Sequence, residues 1–364
     1  MSERNYRAAI IGTGAIAHAH AQAIQETKGR VSLVAVADVD AGRAGEFAAT
    51  YGGAARAYGS AEELLRAEEL DLAHLCTPPQ THAPLAHACL EAGVTALIEK
   101  PPTLSLAEFD ALAEAERQTG ARVATVLQHR FGPGAVRLRR LADAGDLGRP
   151  LLATCVTQWY RDEAYYAVPW RGTWESEGGG PTMGHGIHQF DLLLSVLGPW
   201  REITAMAARQ ARAVDTEDVS MALVTFENGA LATVVNSVVS PRQTSGLRFD
   251  YEHATVEVEH LYGYTDDDWT VTPAPGHEDV QALWDKDRSE EASGHAGWLA
   301  AVLDALDQDR PPPVGTADTR RTMEFIAALY ASAFTGERVR SGQITADSPF
   351  ARRMDGTGAP WRNA

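Results

Sequence analysis

A glycine-rich turn between a short apolar run and a helical segment is the feature that most constrains this chain. Ile10-Ile11-Gly12-Thr13-Gly14-Ala15-Ile16-Ala17 closes the apolar run 7–11 and opens a helix over 16–27. Gly12 permits a tight turn, and Gly14, without a Cβ, lets the backbone approach a pyrophosphate. Ala17 stands where a third glycine is usual and is small enough for close helix–strand packing. Free N–H groups and the dipole at a helix start favour phosphate. Gly12, Thr13, Gly14, Ala15 and Ile16 are therefore expected to cradle a dinucleotide. Asp38 ends the next apolar run, 31–37. Its carboxylate can accept the adenosine ribose hydroxyls and would repel a 2′-phosphate. No arginine follows it immediately, so NAD is expected over NADP. The competing reading is a plain strand–helix turn without a dinucleotide.

The first third keeps one rhythm. Strand-like runs at 7–11, 31–37, 72–76, 95–98 and 122–127 alternate with helical segments at 16–27, 41–51, 61–68, 84–92 and 106–119. The runs are almost continuously apolar, as strands covered on both faces are. The alternation predicts an α/β Rossmann domain, with a doubly wound parallel sheet, over residues 1–127. Beyond 128, longer strand-like runs follow one another at 151–160, 203–209, 220–226, 230–239, 247–250 and 255–259. Glu227-Asn228-Gly229 reads as a hairpin turn between two of them. Helices are expected at 188–197, 295–307 and 319–334. This predicts a C-terminal α+β domain with a mostly antiparallel sheet over 128–346. Residues 285–294 read as a mobile loop, and 347–364 as a polar arm or frayed tail.

Charge and cysteine usage narrow the partners. Asp and Glu outnumber Lys and Arg by 49 to 32, a net charge of −17. Such a chain gains nothing from counterion release, so neither nucleic acid nor an anionic membrane surface is an expected partner. Cys76, Cys89 and Cys155 show no metal-ligand spacing and read as reduced thiols of a cytoplasmic protein. No signal segment or membrane-length apolar stretch is visible.

Chemistry is expected after the fourth of these strands. Glu99-Lys100-Pro101-Pro102 lies beyond a strand's carboxyl end, where doubly wound sheets bind ligands. A proline after Lys100 restricts it to extended conformations and permits a cis bond. The Lys100 ammonium can donate to a substrate hydroxyl and stabilise the oxyanion that develops as hydride leaves. The alternative is an ordinary surface lysine.

Gly12-Thr13-Gly14 with Ala17, Thr77-Pro78-Pro79 with His82, and Glu99-Lys100-Pro101 together resemble the Gfo/Idh/MocA family of sugar and cyclitol oxidoreductases. The resemblance covers nearly the whole chain, and Thr319-Arg320-Arg321 leading into Phe325-Ile326-Ala327-Ala328-Leu329-Tyr330 is similar to the family's late helix. It implies a Rossmann domain followed by a domain with a large open-faced sheet. In the family that sheet often forms subunit interfaces, which implies a homodimer or homotetramer. It further implies that Thr77, Pro78, His82 and Glu99 border the cofactor with Lys100.

The segment from Gly178 to Asp191 resembles the family's Gly-rich lead into a helix carrying a catalytic histidine, here His188. Oxidising a secondary alcohol needs a base for the hydroxyl proton, and histidine titrates near neutral pH. The chain departs from the family at Gly184, where relatives often carry Asp or Asn. His185 is the candidate to fill that space as a catalytic and substrate-binding group. His185, His188 and Asp191 also admit reading as a metal face. No fourth ligand is evident, so no metal is expected and Asp191 reads as a structural contact. Trp159-Tyr160-Arg161, Tyr165-Tyr166, Trp170-Arg171 and Trp174 cluster ahead of the glycines. Their rings suit sugar faces and their tips suit hydroxyls, although core packing is the commoner fate of such residues. Gln128-His129-Arg130-Phe131 resembles a family segment lining the same cleft. Arg130, Tyr160 and Arg171 are expected substrate contacts.

The leading expectation is an NAD-dependent dehydrogenase that moves a hydride between nicotinamide and a hydroxyl-bearing carbon of a small polyhydroxylated substrate, a sugar, cyclitol or derivative. The alternatives are a redox-neutral glycoside-cleaving enzyme that retains NAD, and a non-catalytic dinucleotide or sugar sensor.

Overall fold

A computed structural model describes residues 4–260 and 262–363. The chain divides into two compact units. One comprises Met1–Thr103, Ala107–Val126 and His295–Arg320; the other comprises Leu104–Leu106, Leu127–Gly294 and Arg321–Ala364.

The first unit is built on six parallel strands: β1 (Tyr6–Ile11), β2 (Val31–Ala37), β3 (Arg56–Tyr58), β4 (Leu72–Leu75), β5 (Thr95–Ile98) and β6 (Val123–Thr125). Their order is β3-β2-β1-β4-β5-β6, the doubly wound order of a Rossmann sheet. Both faces are covered, which is why the strand sequences are apolar without alternation. Ile11, Leu75, Ile98 and Val123 pack with Ala86, Cys89, Leu90 and Leu112, while Ala9, Ala35 and Ala37 pack with Leu64. The edge strand β3 was not expected: at three residues, with two of them exposed, it carries no apolar run. The helix expected from 84 begins at His82, after a single turn at Pro79–Thr81.

The second unit carries eight strands: β7 (Pro150–Tyr160), β8 (Trp200–Ala208), β9 (Val219–Phe226), β10 (Leu231–Ser237), β11 (Val239–Tyr251), β12 (Ala254–Val258), β13 (Trp269–Pro273) and β14 (Val339–Arg340). The order is β13-β12-β11-β7-β10-β9-β8-β14. Every pair is antiparallel except β7 with β10. β9 and β10 form the expected hairpin, with Gly229 at a φ of +88°. One face of this sheet exposes several apolar side chains. Met206 lies opposite Met221, and Leu231 is registered with Leu152; Met206 is 70% exposed and Leu223 64%.

Three further differences have physical causes. The helix Pro133–Ala144 was not foreseen, although Pro133 stands at its first position and Gly145 closes it in the left-handed conformation, the usual start and stop residues. Asp285 closes the helix Asp279–Asp285, and the residues after it are tied down, because Ser289 N–H donates to Asp266 and Ser293 N–H to the Tyr264 carbonyl. The segment after 347 is neither arm nor frayed end in its described part. Phe350, Met354 and Asp355 are buried, and Phe350 meets Phe334. The chain leaves the first unit after Val126, and His295–Arg320, with the helix His295–Asp307, belongs to that unit again.

Candidate active site

The cofactor-side residues gather at one end of the six-stranded sheet, where β1, β2, β4 and β5 finish. Gly12 has a φ of +88°, and a Cβ there would lie 2.9 Å from the Cys76 carbonyl and 2.8 Å from the Thr77 methyl. Only glycine fits that approach of the first turn to the loop after β4. A Cβ on Gly14 would meet nothing within 4 Å, so the turn is open on the side a diphosphate would approach. The following helix, Ala17–Glu26, has no side-chain cap at its start, and its dipole favours an anion at that end. These features fit a dinucleotide.

Asp38 Oδ2 accepts the N–H and hydroxyl of Thr13, at 2.9 and 2.8 Å, and Oδ1 accepts from the Asp40 N–H at 2.9 Å. Burial pushes this carboxyl up, but those donors and Arg43 outweigh it and hold it down at about 2. Arg43, which sequence reading passed over, lies 2.6 Å from Asp38 Oδ1. Thr77 accepts the Thr81 hydroxyl at 2.7 Å. His82 is buried, with Nδ1 2.7 Å from the Pro101 carbonyl and Nε2 2.8 Å from that of Thr77. It thus ties the loop after β4 to the loop after β5. Lys100–Pro101 is cis. The Lys100 N–H donates to Glu99 Oε2 at 3.1 Å, and Glu99 is 6% exposed.

The second unit carries His185 and His188. Glu217, fully buried, accepts N–H groups of Gly180 and Thr182, both at 3.0 Å, and the Tyr330 hydroxyl at 2.8 Å. It therefore anchors the short helix Pro181–Gly184. Burial pushes the Glu217 carboxyl up, against the pull of those donors. A Cβ on Gly180 would lie 2.0 Å from the Glu217 carbonyl oxygen, which accounts for the glycine there. The chain then enters the helix Ile187–Leu197, whose second residue is His188, 2% exposed. Its ring meets His129 edge-on at 4.7 Å and Tyr262 at 5.3 Å. His185 stands at right angles to Trp159, with ring centres 5.0 Å apart, and its Nε2 lies 3.4 Å from the Tyr165 hydroxyl. Arg171 donates to that hydroxyl and stacks on the Tyr165 ring at 3.9 Å.

Two expected substrate contacts, Arg130 and Tyr160, have protein partners of their own. The Arg130 guanidinium is taken up by Asp191 in a two-point ion pair, with Nε 2.7 Å from Oδ2 and a second contact from Nη2 to Oδ1, so it braces the histidine helix. Asp191 accordingly contacts a side chain. Tyr160 is 42% exposed and packs its ring under Arg212. Successive strand residues point to opposite faces, and Trp159 takes the face towards His185. Tyr262 escaped sequence reading because it sits in a loop without a motif around it.

Residues 6–127 match the family profile described as "Oxidoreductase family, NAD-binding Rossmann fold", and residues 135–259 match the "GFO/IDH/MocA C-terminal domain". The chain belongs to the Gfo/Idh/MocA family. It is an oxidoreductase built on that family's two-domain plan. Among relatives, it is 25% identical to the D-apiose dehydrogenase of Paraburkholderia graminis, over 95% of this chain and 92% of that one. It is 34% identical to inositol 2-dehydrogenase 4 of Saccharopolyspora erythraea, over 64% and 67%. The solved WlbA dehydrogenase of Bordetella pertussis, in complex with NADH and UDP-GlcNAcA, superposes with a TM-score of 0.82 at 25% identity, covering 93% of this chain and 99% of that one. A Cβ on Gly184 would touch nothing within 4 Å. Among the described residues, no helix is long and apolar enough to cross a membrane.

Proposed function

We propose that this Gfo/Idh/MocA protein is an NAD-dependent dehydrogenase of sugars, cyclitols or their derivatives. The observation that carries the reading is the Glu99-Lys100-cis-Pro101 corner, fixed by Glu99 and His82 at the sheet end that also holds the Gly12 turn and Asp38. NAD, when bound, supplies the hydride acceptor. The chain's own residues orient and deprotonate: Lys100 donates to the reacting hydroxyl and steadies its oxygen as charge develops, and His188 takes the hydroxyl proton. His185, with Tyr165 and Arg171, holds neighbouring hydroxyls. The named activities of the apiose and inositol dehydrogenases support a polyol substrate, and the three buried free cysteines support a cytoplasmic setting.

Asp38 supports NAD over NADP, while Arg43 beside it is poised for a 2′-phosphate once the carboxylate is removed. A screen of inositols, aldoses and glycosides, read by NADH absorbance, tests the function. NAD should exceed NADP by about 100-fold in kcat/KM, and Asp38→Ser should shrink or invert that ratio. Absence of turnover on every polyol, or conversion without net NADH, would count against the reading.

We also propose that the open sheet face joins subunits. Met206, Met221, Leu223 and Leu231 are exposed there, and apolar side chains grouped on one surface mark an interaction site. The Met206→Glu, Leu223→Glu double variant should sediment as a monomer where the parent is a dimer or tetramer; an unchanged mass would refute the interface.

A further inference from the structure

Three buried or half-buried histidines of the first unit play no part in the reaction outlined above, and they converge on Glu99. His20 lies on the helix Ala17–Glu26, His74 on β4, and His295 opens the helix His295–Asp307. His20 Nδ1 is 2.8 Å from His74 Nδ1, His20 Nε2 is 3.0 Å from Glu99 Oε1, and His295 Nε2 is 3.2 Å from the same oxygen. The far oxygen, Oε2, accepts the Lys100 N–H.

Two chemistries fit such a set: a shared metal ion, or a chain of hydrogen bonds. His20, Glu99 and His295 are the only group of three or more His, Cys, Asp or Glu among the described residues close enough to hold an ion. Proton accounting separates the two. If His20 Nε2 bound a metal, the His20 proton would sit on Nδ1 and point at His74 Nδ1. The His74 proton would then be forced onto Nε2, which is buried and has no hydrogen-bond partner. Buried N–H groups without an acceptor are rarer than bare acceptors. The reverse order places every proton: His74 Nδ1–H donates to His20, and His20 and His295 each donate Nε2–H to Glu99. Only a bare lone pair on His74 is left. Electrostatics agrees with that order. Burial pushes the Glu99 carboxyl up, but its two imidazole donors outweigh burial and hold it well below the usual range. Burial lowers His20 and His74, keeping them neutral.

We propose that His20 and His295, with His74 behind His20, are positioning residues: their donated protons fix the Glu99 carboxylate, which in turn fixes Lys100 through its backbone N–H. The functional half of this proposal rests on the role of Lys100 given above. The network itself does not, so the two can fail separately.

Nitrogen-15 spectra of the full chain with labelled histidine, assigned with His20→Gln and His295→Gln, should show the proton on Nε2 of His20 and His295 and on Nδ1 of His74. A proton on His20 Nδ1 would overturn the network, as would stoichiometric zinc uptake abolished by both glutamine variants. Solvent exchange of the Lys100 amide should quicken about 10-fold or more in His295→Leu, and unchanged exchange in that folded variant would overturn the link to Lys100 whether or not a substrate is known. With a substrate, His20→Leu and His295→Leu should lower kcat about 10- to 100-fold with little change in KM. His295→Gln, which keeps a donor near the Nε2 position, should recover most of the loss; equal loss in the glutamine and leucine variants would point to packing alone and count against the proposal.

Discussion

Lys100→Met is expected to lower kcat for polyol oxidation by about three orders of magnitude while leaving NADH affinity within about threefold. Methionine keeps the length and the apolar stem but removes the donor that steadies the developing oxyanion. The backbone N–H that Glu99 accepts survives, so the Pro101 corner should hold. NADH fluorescence titration separates the two quantities. If kcat stays within tenfold of the parent, Lys100 is not the group that polarises the hydroxyl. If NADH binding collapses as well, the side chain serves the cofactor instead.

His188→Asn should cost about two to four orders of magnitude in kcat, the usual worth of a positioned base. The sign with pH is specific. Oxidation needs a base in its deprotonated form, so parent activity rises with pH on its acid limb. The asparagine variant should lose that rising limb and keep a low, flatter rate. A limb unchanged in position and slope would assign the proton transfer to another group. His185→Ala is the companion measurement: a drop of about tenfold or more in kcat/KM supports its place beside the substrate, and normal turnover removes it. Because His188 packs against His129 and Tyr262, a folded asparagine variant should be checked by thermal melting before its rate is read.

Much of the first unit was legible because its signals are local. A doubly wound sheet buries both strand faces, so residues 7–11 and 95–98 announce themselves as apolar runs. The Gly12 turn, Asp38 and the Glu99-Lys100-Pro101 corner each lie within a few residues of a strand end, and topology brings those ends together. The histidine helix was legible for the same reason, through its glycines. What escaped was set by distant partners. Arg130 reads as a substrate contact, and its ion pair with Asp191, far along the chain, leaves no mark in the sequence. Tyr160 and Trp159 differ only in which face of β7 they take. Arg43 lay too far past Asp38 to look like a neighbour, yet the turn after β2 and the helix Ala41–Phe47 bring it back. His20, His74 and His295 come from three separate elements and share no spacing. The Pro133 helix is the one miss that better reading would have avoided, since its terminal residues were in plain view.

The return of residues 295–320 to the first unit bears on how the chain is made. Trp298, Leu299, Val302 and Leu303 are fully buried, and the Trp298 and His295 rings both reach His20. A nascent chain emerging from the ribosome would have its six strands in hand by residue 126 but would still lack this apolar cover. The nucleotide-binding unit would therefore be the first begun and completed late, with residues Leu127–Gly294 of the second unit translated in the interval.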